Sequence, residues 1–402
     1  MTQRRGAWAM VALLWVVVLL NYLDRQVIFS LFPLLRSDLN LSDAQLGLVS
    51  SAFLWVYALA SPLAGYLSDR LGHRRLVLFS LLVWSVVTAL TGLARNFGEL
   101  VLARAAMGLS EACYIPAALT LIAGHHPEAT RARAVGFHQS GIYFGIVIGG
   151  MGGGWMGEHY GWRPVFYLLG AAGIAYGLLL TRVLRAPANP LPSSQESFWR
   201  AASALLRVPG FKIVLTVFAV TSLANWLVYT WLPLFLFERF SLSLTSAGFA
   251  ATFYVQIMAV VGIAAGGWVS DRWTPSQPKA RIWVQAIGLA VAGPFLILSG
   301  LASTPLVLYL ALVAFGLGRG VYDSNIMPVL CRLVGDNRRA TGYGLLNFAG
   351  VMTGGLAAYG AGLVKSTVGL AGAMQIAGAL VLICAAVILA IPQPPAQEPQ
   401  EV

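Results

Sequence analysis

Long apolar runs follow one another along almost the whole chain, each closed by a short polar or basic stretch. Runs of about 20 apolar residues cross a hydrocarbon core as helices, because a helix satisfies all its backbone polar groups internally. The pattern predicts twelve such spans, over residues 7–33, 45–68, 76–94, 99–123, 132–157, 162–184, 211–237, 244–269, 282–301, 304–331, 340–364 and 368–391. Strands of a membrane barrel would alternate apolar and polar positions in segments about ten residues long. These runs do not alternate, so the predicted class is an all-α membrane protein.

A Pro- and Ser-rich stretch with Pro187, Pro190, Pro192, Ser193 and Ser194 interrupts the series, followed by an amphipathic run over 198–208. The expected organisation is an N-terminal six-helix bundle (1–184), a cytoplasmic linker with a short interfacial helix (185–209) and a C-terminal six-helix bundle (210–391). A disordered tail (392–402) is expected to follow. The halves echo each other. Gly65-Tyr66-Leu67-Ser68-Asp69-Arg70 ends span two, and Gly267-Trp268-Val269-Ser270-Asp271-Arg272 ends span eight. Glu111 precedes Pro116 in span four as Asp323 precedes Pro328 in span ten. Two six-helix pseudo-repeats in parallel are the plan of transporters whose halves rock about a central site.

Composition agrees: the 402 residues are 58% hydrophobic and 10% charged, with mean hydropathy +0.75, against about a quarter charged in soluble domains. The net charge of +11 follows topology. With the N-terminus inside, only Arg36, Arg95, Arg163, Arg239 and Lys365 fall in outer loops. That positive-inside bias places both termini in the cytoplasm and makes nucleic acid a poor partner; inner-leaflet lipid suits the basic faces better. Asn21, Tyr22, Asp24 and Arg25 stand where a signal peptide would carry small cleavage-site residues, so span one is read as retained. Cys113, Cys331 and Cys384 lack ligand spacing and read as small buried hydrophobes.

Three acids and three bases lie at membrane depth: Asp24, Arg25, Arg104, Glu111, Arg319 and Asp323. Such charges cost at least a few kcal/mol and mark pathways. Arg104 and Glu111, seven apart, share a helix face, and Gly108 between them leaves room for a neighbour. An arginine that swings between Glu111 and a substrate would leave the acid free to change protonation; a static ion pair locking spans one and four together is the alternative. Asp24 and Arg25 project about 100° apart, towards different neighbours. An arginine fork suits a carboxylate or phosphate. Arg319 and Asp323, one turn apart, can satisfy each other; with Asn325 they form a possible polar site in the C-terminal half. Gln139 beside His138, and Asn347 in span eleven, are further cavity candidates. His138 reads as a packing histidine, and His125-His126 as a solvated loop rather than a metal site. No phosphate-binding loop is present. A catalytic constellation is also lacking, Glu111 with His138 being the one remote pair. The chain is therefore expected to be neither an ATP-driven pump nor an enzyme, and to need no metal or cofactor.

The run Gly65 to Arg75, with Asp69, Arg70, Gly72, Arg74 and Arg75 at characteristic positions, resembles the signature loop of the major facilitator superfamily. Asn21-Tyr22-Leu23-Asp24-Arg25, and Arg104, Gly108, Glu111 and Pro116, resemble the anion:cation symporters, which include sugar-acid/proton symporters. They also resemble Spinster-type lipid transporters, towards which Leu41 to Gly47 leans. The resemblance implies a monomeric carrier in the bacterial inner membrane that moves an organic anion with protons. A lysolipid carrier or a drug exporter is the alternative. The resemblance to the sugar-acid symporters implies proton binding at Asp24 and Glu111, and substrate contacts at Arg25, Tyr22 and Tyr57; Arg104, Gln139 and Asn347 join them as candidate substrate contacts by their polarity at membrane depth. Asp69 would cap a helix end and hold the cytoplasmic side closed; a purely topogenic basic loop is the plainer reading.

Overall fold

The computed structural model describes residues 2–184, 198–335 and 338–392. Helix dominates, and no strand occurs among the described residues. The helices are α1 (Thr2–Ser30), α2 (Phe32–Leu39), α3 (Asp43–Leu71), α4 (His73–Thr91), α5 (Phe97–Glu111), α6 (Tyr114–His125), α7 (Glu128–Tyr160) and α8 (Trp162–Val183). They continue with α9 (Phe198–Leu205), α10 (Pro209–Phe240), α11 (Leu244–Trp273), α12 (Ala280–Leu301), α13 (Pro305–Asp323), α14 (Ile326–Leu333), α15 (Arg339–Val364) and α16 (Gly369–Val387). Spans four and ten are each broken in two, as α5–α6 and α13–α14. Among the described residues, ten spans are long and apolar enough to cross a membrane. The other two of the expected twelve, α7 and α15, have the length, at 33 and 26 residues. They are diluted by glycine, which adds little hydropathy.

The contacts divide the chain into two compact units. Unit 1 holds Met1–Ser193, Asn225–Gln256 and Val351–Ala373; unit 2 holds Ser194–Ala224, Ile257–Gly350 and Met374–Val402. In unit 1 the glycines of α7 set the packing. Gly141, Gly145, Gly149, Gly153 and Gly157, spaced four apart, face Val18, Leu19, Leu23, Val27 and Leu31 of α1 and its end, where a Cβ would overlap these neighbours. Residues four apart share a helix face, so the two backbones run in close contact. Gly150 and Gly154 turn the adjacent face of α7 to Gly248 and Leu244 of α11. A core of Leu14, Val18, Leu81, Trp84, Tyr114 and Ala118 fills the space between α1, α4 and α6.

His126 corrects an expectation: it is buried, edge-on to Trp8, with Nδ1 against the Thr130 hydroxyl. An aromatic neighbour distant in sequence gives it cover that a loop reading does not anticipate. His138 is a packing histidine as expected, its Nε2 2.9 Å from the Tyr114 hydroxyl.

At the α2 end of unit 1, Arg36, Asp43, Glu238 and Lys365 form a closed ring of alternating charge. Arg36 donates to Asp43, and to Glu238 at 2.7 Å; Lys365 donates to Asp43 at 3.1 Å and Glu238 at 2.8 Å. Two cations that composition alone leaves in outer loops are thus neutralised. Beside the ring, Glu158 accepts from the Thr245 hydroxyl at 2.6 Å and from its N–H, at the first turn of α11. Asp38 takes the Trp162 indole N–H at 3.0 Å and Arg163 at 2.5 Å.

In unit 2, α12 meets α13 where Gly288 and Gly318 each face the other's carbonyl. At its loop end, the repeated motif forms a chain of contacts. Arg281 bridges Asp271 at 2.7 Å and the side-chain Oδ1 of Asn325 at 3.2 Å, and the Asn325 Nδ2 donates to Ser270 at 2.7 Å.

Part-exposed ion pairs are screened by salt, with a Debye length of about 10 Å at 0.1 M and 3 Å at 1 M. We therefore expect Glu238→Gln to cost about 1 kcal/mol at low ionic strength. Most of the gap to the parent should close in 1 M NaCl, read as unfolding temperature in detergent. A gap indifferent to salt would mean that the ring works by packing and not by charge.

A second expectation concerns pH. The Trp162 indole first, then Arg163, hold the Asp38 carboxyl below its ordinary value. Its folded-state pKa is depressed, so its contribution is present above the ordinary carboxylate range of about 4. It is lost as pH falls through the folded value. Trp162 fluorescence should therefore change below about pH 4, and Asp38→Asn should abolish that transition.

Candidate functional site

Helices α1, α3 and α5 of unit 1 carry most of the candidate residues at membrane depth. The α3–α5 contact is set by Gly108, whose missing side chain leaves space for the Phe53 carbonyl. Phe53 and Tyr57 of α3, stacked at 5.9 Å, are thereby brought beside Arg104 and Glu111 of α5. The α7 glycines hold α1 in place, with Asn21, Tyr22, Asp24 and Arg25 near its end. Proline shapes the fourth span. Pro116 has no N–H for the carbonyl four residues earlier, and α5 ends at Glu111. Span ten repeats this, with α13 ending at Asp323 ahead of Pro328.

Arg25 donates from Nε to Glu111 Oε2 at 2.5 Å; their side chains are 7% and 0% exposed. Three rings surround the guanidinium, with Tyr57, Tyr22 and Phe53 centroids at 4.5, 4.7 and 5.1 Å. A cation over desolvated aromatic faces gains about 2 kcal/mol, so the rings share with Glu111 the work of holding this charge. Asp24, on the next residue's bearing, takes the Thr88 hydroxyl at 3.3 Å, and its Oδ1 makes no hydrogen bond. Arg104 lies over Phe53 at 4.7 Å and donates to the Met107 thioether at 3.0 Å, while its Nε and Nη2 make none. Glu111 Oε1, Arg25 Nη2 and the Asn21 amide are likewise buried without hydrogen bonds. Unspent donors and acceptors around one ion pair suit a guest that carries both charge and hydroxyls.

Six expected residues therefore meet in unit 1: Tyr22, Asp24, Arg25, Tyr57, Arg104 and Glu111. Of the two readings of these charges, the structure shows the ion pair between spans one and four. Glu111 binds Arg25 across helices, and Arg104 on its own face turns to a thioether. Gln139 is half-buried on α7, with an orphaned Oε1. Asn347, Arg319, Asp323 and Asn325 belong to unit 2. There Arg319 and Asp323 form the expected one-turn pair at 3.3 Å. Asn325 is fully buried and spent on bonds to Ser270, Ser324 and Arg281.

In the basic loop, Gly72 turns at φ +84° between α3 and α4, a conformation that favours glycine. Arg74 donates to the Leu184 and Thr181 carbonyls at 2.5 and 2.6 Å and so caps the end of α8. Arg70 and Arg75 are exposed. The side chains of Gly65 and Asp69 lie outside the described residues. Sequence reasoning passed over Phe53, Thr88 and Asn21. Phe53 is one turn from Tyr57, and Asn21 one turn from Arg25, which is the signal that could have found them.

The sequence model of the Major Facilitator Superfamily matches residues 14–358. An MFS-type efflux pump of Mycolicibacterium smegmatis is 28% identical over 395 residues, covering 96% of this chain and 91% of the relative. A probable galactarate/D-glucarate transporter of Escherichia coli is 28% identical, covering 79% and 78%. Among solved structures, a bacterial homologue of the human lysosomal transporter Spinster, inward-facing and unoccupied, aligns with a TM-score of 0.82. Its identity is 22%, over 97% of this chain and 99% of that one; this likeness is one of fold.

The buried pair is asymmetric, which yields a test. A carboxyl left alone can take a proton and become neutral, whereas a guanidinium cannot lose its charge. Glu111→Gln, which strands Arg25, should lower stability by about 3–5 kcal/mol. Arg25→Met should cost less, and Arg25→Met with Glu111→Leu should recover most of the loss. Thermal unfolding of the three purified variants checks the order. If Arg25→Met proved the most damaging, Glu111 would not be the main partner of Arg25.

Proposed function

The chain belongs to the major facilitator superfamily, and from that premise we propose a transporter that carries an organic anion of the sugar-acid class together with protons, by alternating access. The observation that carries this reading is the buried Arg25–Glu111 pair inside three aromatic rings, with Asp24 beside it. A substrate carboxylate competes with Glu111 for the arginine fork, which can hold two parallel hydrogen bonds. Glu111, displaced into apolar surroundings, takes a proton. The loaded site then carries the same net charge as the empty one, because the anion's charge and the proton's cancel. Release of the anion returns Arg25 to Glu111, which expels the proton to the same side as the anion. Asp24 serves as the second proton acceptor; Tyr22 and Tyr57 hold hydroxyls, with Arg104 and Gln139 at the margin.

Relatedness to a galactarate/D-glucarate transporter supports the anionic substrate. The efflux-pump relative, aligned along 96% of this chain, favours a second reading in which the same proton exchange drives export. The six-helix halves, 1–184 and 210–391, are the proposed moving bodies, joined by the 185–209 linker, with both termini in the cytoplasm of a bacterial cell and one chain sufficient for transport. Asp69 is the proposed inner gate, Arg319 and Asp323 a proposed polar site of the second half, and Asn347 a proposed substrate contact there.

The proposal predicts that Asp24→Asn and Glu111→Gln each abolish accumulation of glucuronate or galactarate driven by a pH gradient in proteoliposomes. Counterflow exchange, which needs no net proton movement, should survive in at least one of them. Full gradient-driven accumulation by both variants would remove these acids from the coupling. Proton-driven extrusion of a cationic dye, with no uptake of either acid, would establish the export reading instead.

A further inference from the structure

Gln256 of α11 is 1% exposed, and neither its amide nitrogen nor its amide oxygen makes a hydrogen bond. It interrupts an otherwise apolar run, Phe253-Tyr254-Val255 before it and Ile257-Met258-Ala259 after. Thr230 of α10 is fully buried, and its hydroxyl is also unpaired. Hydroxyls in apolar helices ordinarily donate to the carbonyl four residues back. Thr252 does so to Gly248 at 2.8 Å, and Ser51 to Gly47 at 2.9 Å; Thr230 does not. Gln26, the residue after Arg25, is 3% exposed and reaches only the Tyr229 carbonyl, at 3.5 Å.

These residues come from neighbouring turns of α1, α10 and α11 in unit 1. Gly149 of α7 bears on the Gln26 side chain and the adjacent Gly150 on Thr252. Gln256 stands one turn further along α11 on the face of Thr252. Tyr229, whose carbonyl meets Gln26, immediately precedes Thr230. We propose that Gln26, Thr230 and Gln256 form an uncharged polar subsite for the hydroxyl-bearing end of the substrate whose carboxylate Arg25 holds. This rests on the function proposed above and adds a selectivity to it. An amide offers two donors and an acceptor, and a hydroxyl both gives and takes, so vicinal hydroxyls can satisfy these groups together. A second carboxylate would find no cation among them. The class selected is therefore a polyhydroxy monocarboxylate, such as a uronate or aldonate, over a dicarboxylate of the same length.

The test is ligand binding to the purified full chain by thermal shift and by isothermal titration, with glucuronate, galactarate and the hydroxyl-poor hexanoate as probes. The parent should bind glucuronate at least several-fold tighter than either other acid. Gln256→Leu, which replaces an unpaired amide by an apolar side chain, should leave the ligand-free unfolding temperature unchanged or raise it. It should weaken glucuronate about tenfold, as loss of one to two hydrogen bonds does, and leave hexanoate unchanged. Gln256→Met serves as a second apolar replacement, should the leucine disturb folding. Glucuronate affinity retained in a folded Gln256 variant would overturn the subsite while leaving the anion carrier intact. So would a preference of the parent for galactarate. No binding of any of the three acids to the parent would overturn the anion reading, and the subsite with it.

Discussion

Arg25 and Glu111 meet at 2.5 Å with almost no access to solvent, and much of unit 1 is arranged so that they can. A guanidinium keeps its charge in any surroundings, and several kcal/mol of desolvation must be offset wherever it is buried. Here the offset comes from three helices at once: a carboxylate on α5, two rings on α3 and one on α1. For that, α1, α3 and α5 must approach more closely than ordinary side chains permit. Glycine supplies the room, at Gly108 between α3 and α5 and along the α7 face that braces α1. The same glycines lower the hydropathy of α7, a consequence of its close approach to α1.

Much of this was legible in the sequence, for identifiable reasons. Apolar runs report membrane helices because the bilayer leaves a chain few alternatives. The internal repeat was legible because a proline five residues after an acid leaves the same trace in both halves, and the structure ends α5 at Glu111 and α13 at Asp323. The Arg319–Asp323 pair was legible because it lies within one helix. The six residues of the polar cluster could be named because charge and aromaticity are rare or positioned in such runs.

What the sequence left open was which pairing across helices forms. A pair between spans one and four was one of two readings, and Arg25 of α1, not Arg104 on the shared face, takes the Glu111 carboxylate. The charge ring is similar. Arg36, Asp43, Glu238 and Lys365 come from four separate stretches, and each alone looks like an ordinary loop charge. His126 shows the same limit for burial, as Trp8 covers it from the far end of the bundle. Gln256 left a signal, one amide within a long apolar run, but only the absence of a hydrogen-bonding partner in the folded chain gives that signal meaning.

The two charge networks also differ in what can disturb them. Arg36 and its partners keep 13 to 33% of their side-chain surface exposed, so salt and protons reach them directly. The Arg25–Glu111 pair is sealed, so its exchange of partners requires a ligand that brings its own charge. The networks are not mechanically independent. Backbone bonds from Leu31 to Ile28 and from Leu35 to Leu31 carry the helical thread across the junction of α1 and α2. Arg25 and Arg36 therefore sit on a nearly continuous support. On the proposed cycle, a carboxylate that takes Arg25 from Glu111 releases α1 from α5 while the α7 glycines keep it upright. On that cycle α1 would be free to rotate or slide along α7, and α2 would carry the motion towards Arg36. A ring whose members are each worth about 1 kcal/mol or less can yield to such a motion and re-form. A buried pair of the Arg25–Glu111 kind at the same place would not.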